Sequence, residues 1–246
     1  MCIIAYKPIG EKFPSSKKFR TMFRNNPDGA GFMYADGENV VIKKGFMEYN
    51  EFRRAFVEIQ HRRDLAVVFH FRIATHGGVN RGMCQPFPLA TKLKRLRSLD
   101  TRAAVGVAHN GIIPMTMSAR DISDTAMFIR EYMPRITCDG TKFDAAALDI
   151  IETCIDSRMV ILEKSGAAHI IGTGWSCDGG VWYSNDSYKS RRATKTTIYN
   201  WSSGWYDDDD AASDYGVYGD ICSGSCDKCG YRKYCFGTDS DLAADD

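Results

Sequence analysis

Apolar residues come in short runs, and the period of those runs changes along the chain. Cys2-Ile3-Ile4-Ala5-Tyr6 is short, apolar and β-rich, and Pro8 and Gly10 follow it, so it predicts a strand that ends in a loop. Ser15 and Ser16 can cap a short helix over 17–24. Asn26-Pro27-Asp28-Gly29 predicts a turn, and residues 31–35 and 39–43 flank Asp36-Gly37 as the arms of a hairpin. Phe52, Phe56 and Ile59, three or four apart, give the next helix an apolar stripe, with Asn50 as its expected cap. Residues 65–72 form a buried-type strand carrying His70 and Arg72 near its end, followed by a loop of small residues. Pro86 and Pro88 interrupt regular structure. Residues 103–108 form a second apolar strand that runs into His109-Asn110-Gly111. Ser123 caps a helix to about Tyr132, residues 143–155 form another, and 159–163 pairs with 169–172 around Gly166. Residues 182–185 read as a last strand. Strands, then helices, then strands, without βαβ repetition, predict an α+β domain with largely antiparallel sheets.

Composition adds a boundary. The 246 residues are 44% hydrophobic and 26% charged, an ordinary soluble globular balance that suits one domain with a small appendage. The pattern breaks near residue 189. We read 2–188 as the domain, 189–220 as a linker, 221–236 as a Cys-rich motif and 237–246 as a disordered acidic tail. Residues 201–246 hold eleven Asp against three Lys/Arg, which leaves 29 Lys/Arg against 20 Asp/Glu in the mildly basic body. No apolar run approaches the roughly 18 residues of a membrane span, and no secretory pattern opens the chain. Nine cysteines without such a signal point to reduced thiols, metal binding or catalysis, and to a cytoplasmic protein.

Four features have the chemistry of a site. Cys2 becomes N-terminal if Met1 is removed, placing a thiol and an α-amine on one residue. The amine, with a reference pKa of about 7.7–8.0, is a competent base for the thiol. The plainer account of Cys2 is a small apolar residue opening a buried strand. Arg72, after a buried strand, can hold a carboxylate through two parallel bonds or pair structurally with an acidic neighbour. Asn110-Gly111 fits a turn, or an oxyanion hole made by the Asn110 side-chain amide and the Gly111 N–H. Asp124, at a helix start, suits the helix dipole or a substrate ammonium. His70, His76 and His109 are not spaced as metal ligands and read as supports or core residues. Together the four would bind an amino acid by both charged ends and present its side-chain carbonyl to Cys2, which describes a glutaminase.

In ordered pieces the chain resembles the class II glutamine amidotransferases, which are N-terminal nucleophile hydrolases. The pieces are Met1-Cys2, Asp28-Gly29-Ala30-Gly31-Phe32 and His70-Phe71-Arg72-Ile73-Ala74-Thr75-His76-Gly77, then Cys84-Gln85-Pro86-Phe87 and His109-Asn110-Gly111-Ile112-Ile113, then Ser123-Asp124-Thr125 and Tyr183-Ser184-Asn185. They span about residues 2–188. The resemblance implies a four-layer αββα sandwich, with Cys2 as nucleophile and Asn110 with Gly111 as oxyanion hole. It also implies Arg72 on the glutamine α-carboxylate, Asp124 on the α-ammonium, and Thr75 and His76 lining the pocket. The chain departs from the family at Met83-Cys84-Gln85, where the family often has Asn and His near the Pro. Residues 189–246 are also too few for the synthase or transferase domain that usually consumes the ammonia.

The expected function is therefore glutamine hydrolysis with delivery of ammonia to a separate acceptor enzyme. Alternatives are an amidohydrolase on another amide and a non-catalytic partner-binding module. Glutamine hydrolysis itself requires no cofactor. In the tail, Cys222, Cys226, Cys229 and Cys235 suit a structural Zn site, an iron–sulfur cluster or no metal, their spacing being irregular for a standard finger. Tyr231 and Tyr234 beside Lys228, Arg232 and Lys233 offer a partner contact, but the surrounding acid argues against direct nucleic-acid binding.

Overall fold

The computed structural model describes residues 2–74, 78–115, 121–137 and 141–190. Residues Met1–Ser190 gather into one compact unit. It opens with β1 (Ile3–Lys7), α1 (Ser16–Asn25), the hairpin β2 (Ala30–Ala35) and β3 (Val40–Phe46), α2 (Tyr49–Phe56) and β4 (Val67–Phe71). A short β5 (Phe87–Pro88), α3 (Leu93–Arg97), β6 (Asp100–Ala103) and β7 (Val105–Asn110) follow. Then come α4 (Asp124–Glu131), α5 (Met133–Ile136), α6 (Ala145–Ile155), β8 (Arg158–Glu163), β9 (Ala168–Ile171), β10 (Ser176–Asp178) and β11 (Val181–Tyr183).

The strands form two sheets, in the orders β10-β11-β1-β4-β2-β3-β6 and β5-β7-β8-β9, and every neighbouring pair is antiparallel. The protein is thus a mixed α+β fold with antiparallel sheets. Side-chain alternation decides what each face meets. On β4, Phe69 and Phe71 join an aromatic cluster with Phe19 of α1 and Phe52 and Phe56 of α2. Its centroids lie 4.9 Å (Phe19–Phe69), 5.2 Å (Phe52–Phe71) and 5.4 Å (Phe56–Phe69) apart. Val68 points the other way and packs with Ile4, Met33 and Ile42 against Ala108, Val160 and Leu162 of the small sheet. The opposite face of the small sheet, through Val107, Met159 and Ile161, packs on Ala126 and Ile129 of α4 and Ile151 and Ile155 of α6.

Ser15 caps α1, its hydroxyl accepting the Lys18 N–H at 3.3 Å, and Ser123 caps α4 by accepting from the Ala126 N–H at 3.2 Å. Three local expectations change. Asn50 lies inside α2, whose cap position is Glu48. The apolar run 103–108 is split between the sheets: β6 ends at Ala103 on the large one and β7 starts at Val105 on the small one. The apolar pattern does not show the break at Ala104, because the residues on both sides of it are apolar. Pro88 sits within β5, which pairs with β7 only along one edge, where a missing N–H costs no ladder bond.

Candidate active site

Parity along β1 puts Cys2 on the same side as Ile4, facing the small sheet. Beyond the end of β4, the Ile73 backbone brackets the thiol: Sγ donates to the Ile73 carbonyl at 3.3 Å and accepts the Ile73 N–H at 3.3 Å. Burial pushes the Cys2 thiol above its ordinary pKa, while the Ile73 bond and the Arg72 guanidinium pull against that shift. The thiol is therefore the resting form, and attack requires a base.

Arg72 is held by its backbone. Its N–H donates to the Gly29 carbonyl at 2.8 Å, and its carbonyl accepts the Asp28 N–H at 2.9 Å. The Asp28 carboxylate accepts the Ala74 N–H at 2.8 Å, which fixes the chain just past Ile73. Gly29, at φ 113°, is required here, because a Cβ would sit 2.5 Å from Cys84 Sγ. Arg72 itself is buried.

Asn110 ends β7 on the inter-sheet side, buried, with its carboxamide 2.9 Å from the Ser184 hydroxyl. The same hydroxyl accepts the Ile4 N–H at 2.8 Å, and the Asn185 side-chain amide donates to the Cys2 carbonyl at 2.6 Å. The segment after β11 therefore ties the Cys2 strand to the Asn110 strand. Gly111 has φ 155°, and a Cβ there would run into the Ser157 side chain. Packing alone requires glycine at this position.

Asp124 opens α4 and is buried. Its carboxylate accepts the Thr125 N–H and the Ile113 N–H, each at 2.8 Å, so it anchors the loop that follows Gly111. The Thr125 hydroxyl also lies 3.4 Å from Oδ1, and because a carboxylate has about four lone-pair positions, acceptor capacity remains. Arg72 and Asn110 also sit at strand ends, on β4 and β7. Thr75 and His76, and the four tail cysteines, lie outside the described residues. Among the described residues, no group of three His, Cys, Asp or Glu side chains is placed to hold a metal ion.

His70 and His109 are supports. His70 Nε2 donates to the His109 carbonyl at 3.1 Å and so bridges the two sheets. The Ser157 hydroxyl donates to the Ile155 carbonyl at 2.8 Å, so it accepts from His109 Nε2 at 2.7 Å, which leaves His109 Nδ1 to accept from Thr125 at 2.9 Å. Gln85 accepts the His109 N–H at 2.7 Å. The Gln85 loop is in turn pinned by Lys44, whose Nζ donates to the Gly82 carbonyl at 3.0 Å and the Leu96 carbonyl at 2.5 Å and lies 3.9 Å over the Phe87 ring, burial pulling its pKa down to about 7. Nothing in the local sequence marks Ser157 or Lys44 for these roles. Ser184 and Asn185 stand within a resembling motif, but only the fold gives them partners.

Burial pulls His109 down to about 4 and His70 down to about 3. Both are neutral in the native state, whereas an unfolded histidine titrates near 6.5. As pH falls below about 6.5 the unfolded chain binds protons that the native state refuses, so stability falls with pH until the folded values are reached. Each histidine contributes at most ~1.4 kcal/mol per pH unit in that window. Urea unfolding is expected to show lower stability at pH 5.5 than at pH 7, with a shallower slope in His70→Gln. An unchanged slope in that variant would remove His70 from the account.

The chain matches no protein-family model and no curated protein.

Proposed function

We propose that this chain is a class II type glutamine amidotransferase that hydrolyses the glutamine side-chain amide and supplies ammonia to a separate acceptor enzyme. The observation that carries the reading is a convergence. Residues 2, 4, 73, 110 and 184–185, far apart in sequence, are joined in one network by the bonds of Cys2 to Ile73 and Asn185 and of Ser184 to Ile4 and Asn110. The order of packing, helices on the large sheet, the small sheet against its other face and helices beyond, fits the four-layer αββα sandwich of N-terminal nucleophile hydrolases.

In this reading Met1 is removed and the Cys2 amine, directly or through water, takes the thiol proton. Sulfur attacks the glutamine amide carbon, and the oxyanion is held by Asn110 and the Gly111 N–H. The C–N bond breaks and ammonia leaves with the proton. Water then hydrolyses the γ-glutamyl thioester, giving glutamate and the free thiol. Arg72 binds the α-carboxylate and Asp124 the α-ammonium, with Thr75 and His76 along the pocket. No cofactor takes part. A Zn site in the tail cysteines would serve structure or partner docking.

The test is glutamate release from glutamine by protein whose N-terminus is checked by intact mass. The expected result is turnover only where Met1 is absent, since a retained Met1 converts the base into an amide nitrogen. No turnover with Cys2 exposed as the first residue, alone or with added acceptor lysate, would overturn the reading in favour of another amide substrate or a binding module.

A further inference from the structure

Ser184 stands where three segments of the chain meet. Its N–H donates to the Ile4 carbonyl at 3.0 Å and its hydroxyl accepts the Ile4 N–H at 2.8 Å. The Asn110 carboxamide lies 2.9 Å from that hydroxyl, and both side chains are buried. A serine hydroxyl has one hydrogen and two lone pairs. With the Asn110 nitrogen facing it, both lone pairs are filled from outside and the serine hydrogen finds no acceptor among the described residues. Asn110 Oδ1 is then a buried acceptor with no partner among them. The two ends of a carboxamide are isosteric, so hydrogen bonding decides which end faces the serine. With Oδ1 facing Ser184, the hydroxyl hydrogen is donated to Oδ1 and one lone pair still takes the Ile4 N–H. Both unmatched groups are paired in that arrangement. What remains is the Asn110 nitrogen with two unused hydrogens, buried at the inter-sheet end of β7.

We infer that Ser184 is a positioning residue that donates to Asn110 Oδ1 and so presents the Nδ2 hydrogens to a substrate oxygen. The inference deepens the glutaminase reading and rests on it. Donors fixed before substrate arrives are what stabilise a developing oxyanion, because no reorganisation is needed when charge appears. The segment also sets the nucleophile: the hydroxyl that orients Asn110 holds the Ile4 N–H, and the next residue, Asn185, holds the Cys2 carbonyl at 2.6 Å.

The experiment measures glutamate release by Ser184→Ala and Ser184→Thr, each in the wild-type and Asn110→Ala backgrounds. Ser184→Ala is expected to lower kcat by about 10–100-fold with KM within about threefold, and Ser184→Thr to restore most of it. In the Asn110→Ala background, Ser184→Ala should cost at least about fivefold less than in the wild-type background, leaving only the loss from the freed Ile4 N–H, because Ser184 and Asn110 act as one unit. An equal fractional loss in both backgrounds would overturn the inference by making Ser184 merely structural. If Ser184→Ala does not fold, Ser184→Cys, a weaker donor of similar size, takes its place with the same outcomes. Wild type that does not hydrolyse glutamine defeats the glutaminase reading instead. The Asn110 side-chain ¹⁵N amide resonance, identified by its loss in Asn110→Ala, then decides. A shift in Ser184→Ala that Ser184→Thr reverses supports the positioning role, and an unmoved resonance overturns it.

Discussion

Cys2→Ala is expected to reduce glutamine hydrolysis by about 10⁴-fold or more, because in the proposed mechanism it removes the atom that would form the thioester. The fold should tolerate the change. Among the described residues, Cys2 Sγ makes two long hydrogen bonds, both at 3.3 Å to the Ile73 backbone, and the residue is not fully buried. Stability should therefore stay within about 1 kcal/mol of wild type, which a urea titration can check. That separation of a large catalytic loss from a small stability loss distinguishes a nucleophile from a buried strand residue. A variant is the right instrument, since Cys154 and Cys177 are exposed and alkylation would modify them as well. Activity retained in Cys2→Ala would move the chemistry elsewhere and leave the N-terminal segment as one more edge of the core. Cys2→Ser keeps the shape with a poorer nucleophile and should also be strongly impaired. With the thiol pushed up by burial, the proposed nucleophile rests neutral, so on that mechanism the rate should rise with pH as the Cys2 amine loses its proton.

Asn110→Ala is expected to lower kcat by about 10²–10³-fold, or ~2.7–4 kcal/mol, the usual cost of one oxyanion donor, with little change in KM. The physical basis is the placement of a buried carboxamide at the end of β7, tied to the segment that also ties Cys2. A donor to the transition state affects kcat and kcat/KM together, whereas a ground-state binding group raises KM. A rise in KM at unchanged kcat would reassign Asn110 to substrate binding and leave the oxyanion to Gly111 alone. Gly111 gives a less clean answer, because its replacement must displace Ser157 and with it the His109 bond, so structure and catalysis would be lost together.

Much of the fold was written in local pattern. The Asp36-Gly37 hairpin and the Ser15 and Ser123 caps each depend on residues within a turn or two of one another and form as the sequence predicts, and the helical stripe forms through Phe52 and Phe56, with Ile59 buried beyond the end of α2. The candidate site was legible in part. Arg72, Asn110 and Asp124 stand at ends of strands or helices, where a rigid element can aim a side chain, and motif order pointed to Cys2. The sequence could not say that one strand ends at Ala103 and another starts at Val105, because the residues on both sides of the break are apolar.

By itself, then, the sequence determined most of the longer elements, the antiparallel α+β character and the residue types of the candidate site, but not β5, α3, β6 or β10. Those follow from turn chemistry, capping and period, which act over a few residues. Only the tertiary structure decided which sheet each buried strand joins and which polar atoms meet there. The bond from Ser184 to Asn110 spans 74 positions and that from Asn185 to Cys2 spans 183, and no local rule acts at such range. They exist because packing Val68 and Ile4 against Ala108 and Val160 brings the two sheets face to face, and the polar groups at the strand ends, shut away from water, must find each other.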